Sequence, residues 1–145
     1  MTVNLKKLND KTIVPTQGHT GDAGWDLYAC LENPIIIYPG ETAMVPTGFS
    51  LEIPEGYFGG IFPRSGLSTK QGLRLANCVG VVDAPYRGEV MVALYNDSNV
   101  HREISHGDRI AQMIILPVLG INFNIVDNLT NTDRGSGGFG STGAN

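Results

Sequence analysis

Hydrophobic and polar positions alternate along much of the chain with a period of two, which predicts β-strands. In segment 49–53, Phe49, Leu51 and Ile53 fall on one face, while Ser50 and Glu52 fall on the other. Segment 88–95 is apolar on both faces, as expected for a strand that is covered on both sides. Further strand candidates, rich in branched residues, are 35–38, 77–82, 111–116 and 121–126.

Glycine and proline mark turns between these runs, at 39–40, 54–56, 70–72 and 106–108. Only segment 65–71 has a helical pattern, with Ser65 as the candidate N-cap. Short strands at even spacing predict an all-β fold, either a barrel or a jelly roll.

Length and composition limit the function classes. The chain has 145 residues, which fits one domain. The formal net charge of −4 argues against a general grip on a nucleic-acid backbone, so an anionic ligand needs a few placed cations and backbone amides. With no secretory signal and no long apolar stretch, we expect a cytoplasmic protein that does not bind membranes. Cys30 and Cys78 fit neither a metal site nor a disulfide framework, so we expect both to be small buried side chains.

Three internal clusters contain candidate chemistry. Arg64 and the Ser65 hydroxyl stand where the short helix begins, which suits an anion, although serine is also a common helix cap. Asp83 directly follows an apolar strand, where it is a candidate general base or simply a turn residue; Tyr86 could pack against a sugar. Gln112 is a polar residue in an otherwise buried run, so its amide needs a partner.

The glycine-rich end of the chain, residues 128–145, has too few apolar residues to order itself. It is either a floppy tail or an arm that orders over a ligand. In the second interpretation Arg134, Ser141 and Thr142 donate to phosphates, and Phe139 stacks on a flat group.

Other catalytic chemistries lack their usual patterns. The three histidines are not at metal-ligand spacing, and no serine or cysteine stands in a recognisable nucleophile motif. An enzyme with this sequence would therefore activate water rather than form a covalent intermediate.

Five segments, taken in order, resemble the five motifs of the homotrimeric dUTPase family, and the resemblance covers nearly the whole chain. They are 23–27 (AGWDL), 63–67 (PRSGL), 80–88 (GVVDAPYRG), 107–112 (GDRIAQ) and 134–143 (RGSGGFGSTG).

The resemblance implies a jelly-roll-like distorted β-barrel of the β-clip type, with one very short helix, in residues 1–127. It also implies that residues 128–145 form a flexible arm that closes over an active site. The chain would form a homotrimer with its sites at subunit interfaces. It would hydrolyse dUTP to dUMP and pyrophosphate with Mg²⁺, which lowers dUTP and supplies dUMP for thymidylate synthesis.

The resemblance also assigns residue roles. Asp83 would activate the water that attacks the α-phosphorus, and Asp26 would be a supporting carboxylate near the metal and phosphates. Mg²⁺ would be held mainly by the substrate phosphates and water rather than by protein ligands. The remaining substrate-binding positions are Arg64, Ser65, Gly66 and Gln112 for the phosphate chain, Asn77, Gly80 and Val81 for uracil, Tyr86 for the deoxyribose, and Arg134, Phe139, Gly140, Ser141 and Thr142 from the arm.

The chain departs from the family pattern at Ala84 and Pro85, where acidic or polar residues are frequent. Two alternatives remain beside dUTP hydrolysis. One is a dCTP deaminase-like enzyme, which shares the fold but usually lacks the glycine-rich arm. The other is a trimeric regulatory scaffold that retains a nucleotide pocket.

Overall fold

A computed structural model describes residues 1–138, which form ten strands and one helix. In chain order these are β1 (Asn4–Lys7), β2 (Trp25–Tyr28), β3 (Ile35–Ile37), β4 (Thr42–Glu52), β5 (Tyr57–Phe62), α1 (Ser65–Gln71), β6 (Leu73–Leu75), β7 (Gly80–Asp83), β8 (Glu89–Asn96), β9 (Arg102–Ile104) and β10 (Arg109–Pro117). The predicted all-β class with one very short helix is confirmed.

The strands form two four-stranded antiparallel sheets and one smaller pair. The first sheet has the order β1-β4-β8-β6, the second has the order β2-β10-β5-β7, and β3 pairs with β9. One hydrophobic core fills the space between the sheets, with Phe49 and Val92 from the first sheet and Leu27, Ile61 and Met113 from the second. This two-layer arrangement matches the expected jelly-roll-like architecture.

Alternation along the strands follows the sequence prediction on one face and differs on the other. Phe49, Leu51 and Ile53 are buried as expected, but Ser50 is buried too, because β1 and β8 both pair with β4 at that position. In β8 every second residue is buried and the others, such as Met91, are only half-buried. The sequence predicted that both faces of this strand are covered. In the single chain one face of β8 is buried and the other is only half-buried.

The four predicted turns are all present, and each contains a glycine with positive φ: Gly40, Gly56, Gly72 and Gly107. A left-handed conformation is inexpensive for glycine, and so a local sequence signal located these turns correctly.

Two strand predictions need correction. Segment 121–126 forms no strand, and its residues Ile121, Phe123 and Ile125 are 69%, 91% and 97% exposed, because no strand of the same chain lies beside them. Segment 77–82 becomes a strand only from Gly80, since a tight turn occupies the residues before it; there Val79 donates its N–H to the Asn77 carbonyl at 2.6 Å.

The cysteines also differ from one another. Cys30 is buried as predicted, whereas Cys78 is exposed and adopts φ +60° in the turn before β7. The prediction that both are buried is thus wrong for Cys78. Across residues 1–138 no helix has the length and apolar character needed to cross a membrane.

Gly48 occupies a bulge in β4, where the register against β8 shifts between Pro46 and Ser50. Its φ is +76°, and its carbonyl accepts hydrogen bonds from the Leu8 N–H and the buried Thr12 hydroxyl, each at 2.7 Å. A Cβ at this position would lie 2.7 Å from the Cys30 sulfur. The bulge thus attaches the N-terminal segment to the first sheet.

We expect Gly48→Ala to lower the free energy of unfolding by about 2–4 kcal/mol, since it combines left-handed strain with overpacking. Gly40→Ala is the matched control, because Gly40 has nearly the same φ, +78°, but open space where its Cβ would be. Urea unfolding at one protein concentration measures both variants. Equal losses in the two would show that packing around Gly48 contributes nothing.

Candidate functional site

Arg64 stands at the junction between β5 and α1 and is the N-cap of the helix, with an extended backbone at φ −85° and ψ 130°. The sequence predicted Ser65 as the cap; this is wrong, because Ser65 already has a helical backbone and no side chain caps the helix. Within residues 1–138 the Ser65 hydroxyl makes no hydrogen bond, whereas its carbonyl accepts one from the Thr69 hydroxyl at 2.6 Å. The hydroxyl is therefore available to a ligand.

Asp26 in β2 holds two arginines that come from different elements. One of its carboxylate oxygens accepts from Arg64 Nε at 2.8 Å, and the other accepts from a terminal nitrogen of Arg109 at 3.2 Å. The Asp26 side chain is only 14% exposed, and a carboxylate with that little solvent needs such partners. Asp26 thus supports the orientation of Arg64 through a direct ion pair.

Gln112 lies in β10 opposite Phe62, at the end of β5 that leads into Arg64. Its Nε2 donates to the Pro63 carbonyl at 3.0 Å, which supplies the partner that the sequence required. This bond fixes the amide beside the start of α1. A Cβ on Gly24 would overlap the Gln112 side chain, so the glycine leaves the space that this amide occupies.

A cavity of about 360 Å³ opens between these elements. Its walls comprise Arg64, Ser65, Gly66, Leu67, Lys70, Gln71 and Gln112. We call this group the Arg64 cavity. It brings together all four of the residues that the sequence assigned to the phosphate chain, and its cations and amide donors suit an anion.

The predicted nucleoside residues lie elsewhere, in the Asn77–Tyr86 segment, which we define as residues 77–86. Asn77 and Val81 are exposed, while Gly80 is buried. A Cβ on Gly80 would lie 3.5 Å from the Asn77 amide nitrogen, so Gly80 is directly adjacent to that amide. The strands on either side of Asn77, β6 and β7, belong to different sheets and do not pair with each other.

Tyr86 is the last residue of this segment, and both its backbone and its hydroxyl are held by hydrogen bonds. Its N–H donates to the Asp83 carbonyl at 3.0 Å, and its hydroxyl donates to the Glu89 carbonyl at 2.9 Å. The ring lies over Gly88, where any added Cβ would overlap it. One face of a fixed ring is suited to packing against a sugar.

Asp83 ends β7 and is exposed. Within residues 1–138 its carboxylate has no ion pair and accepts no hydrogen bond, in contrast to Asp26. In the single chain the carboxylate of Asp83 is therefore open to solvent.

The register of β5 separates Asp83 from the Arg64 cavity. Phe58, near the start of β5, pairs with Asp83, while Phe62, at its end, pairs with Gln112. Four residues along a strand span about 13 Å, and two strand spacings add about 10 Å across. The Cα atoms of Asp83 and Gln112 are therefore on the order of 16 Å apart. This distance is too long for one phosphate group and one water to bridge.

The predicted arm is described only in part. Arg134 lies in an exposed turn, where its Nε donates to the Gly137 carbonyl at 2.9 Å. Phe139, Gly140, Ser141 and Thr142 lie outside the described residues. The structure brings Arg134 into contact with neither the Arg64 cavity nor the Asn77–Tyr86 segment.

Sequence reasoning did not single out Gly24, Gly88 or Lys70 as site positions. The two glycines lie within the family-like segments 23–27 and 80–88. Only the three-dimensional structure shows that Gln112 occupies the space beside Gly24 and that Tyr86 occupies the space beside Gly88. Lys70 had no distinguishing pattern, and its position in the cavity wall is visible only in three dimensions.

Comparison with known proteins decides the family. The family model described as dUTPase matches residues 10–143. The chain belongs to the dUTPase family. The deoxyuridine 5'-triphosphate nucleotidohydrolase of Hahella chejuensis is 46% identical over 95% of this chain and 91% of its own length, and the one of Burkholderia cenocepacia strain J2315 is 44% identical over 99% of each.

Solved structures agree with this assignment. The dUTPase of Staphylococcus bacteriophage 80α, as a G164S mutant with dUpNHpp, superposes with a TM-score of 0.89 at 27% identity and covers 99% of both chains. The resemblance drawn from the five segments and the fold expected from it are confirmed.

We expect Gly24→Ala to lower kcat/KM for the substrate by about 10- to 100-fold, because the displaced Gln112 amide would lose one hydrogen bond to a charged group. Gly18→Ala is the control, since its Cβ would meet only the flexible Asp22 carboxylate, at 3.2 Å. Steady-state kinetics measures both. Wild-type kcat/KM in Gly24→Ala would show that the position of Gln112 does not matter.

Proposed function

We propose that this protein is a dUTP diphosphatase that hydrolyses dUTP to dUMP and pyrophosphate. Relatives named for this activity match the chain almost from end to end. The observation that carries the proposal is the contrast between two carboxylates: Asp26 is engaged by two arginines, whereas Asp83 is free of ion pairs within the described residues. Since the relatives are bacterial, we place the reaction in the cytoplasm, where it lowers dUTP and supplies dUMP for thymidylate synthesis.

The Asn77–Tyr86 segment binds the nucleoside in this proposal. The Asn77 amide and the backbone of Gly80 and Val81 read the polar edge of uracil, and the tight turn leaves no space for the methyl group of thymine. Cytosine presents donors and acceptors in the wrong places, which a site built on hydrogen bonds penalises strongly. The fixed ring of Tyr86 lies under the deoxyribose and excludes a 2′-hydroxyl.

The Arg64 cavity binds the phosphate chain through Arg64, Ser65, Gly66 and Gln112. Mg²⁺ would be held mainly by the substrate phosphates and water, and it would neutralise part of the phosphate charge. Residues 1–138 contain no group of three His, Cys, Asp or Glu side chains placed to hold a metal. Both oxygens of Asp26 already accept from arginines. With Asp26 already paired, the described residues fit an ion whose ligands are phosphate oxygens and water. Asp26 supports the site indirectly, by holding Arg64.

The chemical step follows from Asp83. Its carboxylate orients a water and accepts a proton from it, while the water oxygen bonds to the α-phosphorus in line with the departing pyrophosphate. The bond from the α-phosphorus to the bridging oxygen breaks, and pyrophosphate leaves with the electron pair. Donors in the Arg64 cavity stabilise the charge that develops on the phosphate oxygens.

Residues 128–145 act as the arm, and residues 1–127 act as the barrel domain that the arm serves. Arg134, Ser141 and Thr142 bind the terminal phosphate, Phe139 stacks over uracil, and Gly140 lets the backbone approach the ligand closely. This proposal is supported by composition and by the exposure of residues 128–136 in the single chain. An arm that closes over substrate excludes bulk water from the reaction.

The separation along β5 implies that one active site uses more than one chain. A water held by Asp83 must lie next to the phosphorus whose oxygens Gln112 and Arg64 bind. Within one chain, however, the Cα atoms of Asp83 and Gln112 are on the order of 16 Å apart. Pairing the Arg64 cavity of one chain with the Asn77–Tyr86 segment of another removes this conflict. We therefore propose a homotrimer with sites between subunits, the assembly that the family resemblance implies.

Exposed apolar surface supports association between copies. Leu119, Phe123, Ile125 and Leu129 are each more than 80% exposed in the single chain, and all of them lie after the last strand. Large apolar side chains that are exposed close together in sequence are typical of a segment that another surface covers. A neighbouring copy that covers these side chains would remove the unfavourable free energy of exposing them to water.

The function is tested by measuring pyrophosphate release from dUTP, dTTP, dCTP and UTP. We expect dUTP to be strongly preferred, and Asp83→Asn to lower its turnover by roughly 10²- to 10⁴-fold, as for a lost general base, while dUpNHpp still binds. Asp97→Asn, in an exposed pair with Arg74, is the control. Full turnover in Asp83→Asn would refute its role, and ammonia release from dCTP would indicate a deaminase instead.

The shared site is tested by mixing two inactive variants. We expect Asp83→Asn and Arg64→Ala, refolded together in equal amounts, to recover about a quarter of wild-type activity, because one site in the mixed assembly can draw both intact residues from different chains.

A tag on one variant establishes that the two chains have exchanged, and each variant refolded alone gives the background. Mixed assemblies that copurify but stay at background activity would mean that Asp83 and Arg64 of the same chain form the site.

A further inference from the structure

The wall of the Arg64 cavity contains two cationic side chains, those of Arg64 and Lys70, within residues 1–138. The proposed phosphate contacts use Arg64 and leave Lys70 without a role. Lys70 belongs to the last turn of α1 and is exposed. A lysine with its ammonium in water is common, so its position needs further support before it implies binding.

The charges around the cavity supply that support. The charge of Arg64 is partly neutralised by Asp26, whose other oxygen binds Arg109. Lys70, by contrast, has no carboxylate within 4.0 Å among the described residues, whereas other exposed cations of the chain, such as Lys11, Arg74 and Arg87, each have one. Within the described part of the cavity wall, Lys70 is therefore the cation that no carboxylate offsets, whereas Arg64 shares the single charge of Asp26 with Arg109.

The helix places Lys70 beside the proposed phosphate contacts. Gly66 and Lys70 are four residues apart, so both lie on one face of α1 and are separated by about 6 Å along its axis. Gln112 lies in the same cavity wall. A phosphate chain that contacts Ser65 and Gly66 at one end can therefore extend toward the flexible Lys70 side chain without leaving the cavity.

We propose that Lys70 binds the diphosphate part of the substrate and neutralises the pyrophosphate as it departs. This inference rests on the proposed function, since it takes the cavity to hold the phosphate chain. A compact, mobile ammonium can follow oxygens whose charge increases when the bridging bond breaks. Lys70 should thus distinguish ligands that carry a diphosphate from dUMP, which has none.

The test compares Lys70→Gln with Lys6→Gln, which removes an exposed lysine of β1. We expect Lys70→Gln to weaken binding of inorganic pyrophosphate and of dUpNHpp by about tenfold or more, the effect of one charge-assisted hydrogen bond. Binding of dUMP should be unchanged, and Lys70→Arg should retain most of the affinity. Lys6→Gln should match the wild type for all three ligands.

A purely structural role at the end of α1 would lower the thermal midpoint of Lys70→Gln but leave pyrophosphate affinity at the wild-type level. That result, an equal loss for dUMP, or no pyrophosphate binding by the wild type would each overturn the proposal. Hydrolysis of dUTP by the wild type is measured separately. If dUTP is not hydrolysed but pyrophosphate binds through Lys70, the proposed function fails and the Lys70 site stands.

Discussion

The register of β5 is the constraint on which the proposed site depends. Backbone hydrogen bonds to β10 on one side and to β7 on the other fix Gln112 at one end of the strand and Asp83 near the other. Neither residue can slide toward the other, because a shift of one residue would turn every side chain of the strand to the opposite face. Within each chain, β5 therefore keeps the proposed general base, Asp83, apart from Gln112 and the Arg64 cavity.

A site shared between copies of the chain would also account for three features that are difficult to explain in an isolated chain. Asp83 is exposed, the second face of β8 is only half-buried, and the segment after β10 presents large apolar side chains to water. Each feature is costly or ineffective in a monomer, and association of copies would correct all of them together. Burial by a neighbour would also supply Asp83 with the drier surroundings that electrostatic catalysis requires.

The sequence predicted those parts of the structure that local chemistry determines. All four turns were located correctly because each needs a glycine with positive φ, and Gln112 was recognised as a buried polar residue that requires a partner. Errors occurred where distant residues decide the outcome. Segment 121–126 has strand composition but no pairing strand in its own chain, and Cys78 is exposed because its turn points outward. The family resemblance grouped Arg64, Ser65, Gly66 and Gln112, and the structure places all four in one cavity wall. The space that Gly24 leaves for Gln112, in contrast, depends on two segments that are far apart in sequence.

The ion pairs of Asp26 have a consequence for how tightly an anion can be bound. A free arginine side chain has many rotamers, and a ligand that immobilises one loses part of the binding free energy to that ordering. Here the Asp26 carboxylate of β2 already holds the Arg64 guanidinium, with 2.8 Å between Oδ1 and Nε. The rotamer entropy of this side chain is lost when the chain folds, so an anion bound in the proposed site would meet a donor whose direction is set in advance.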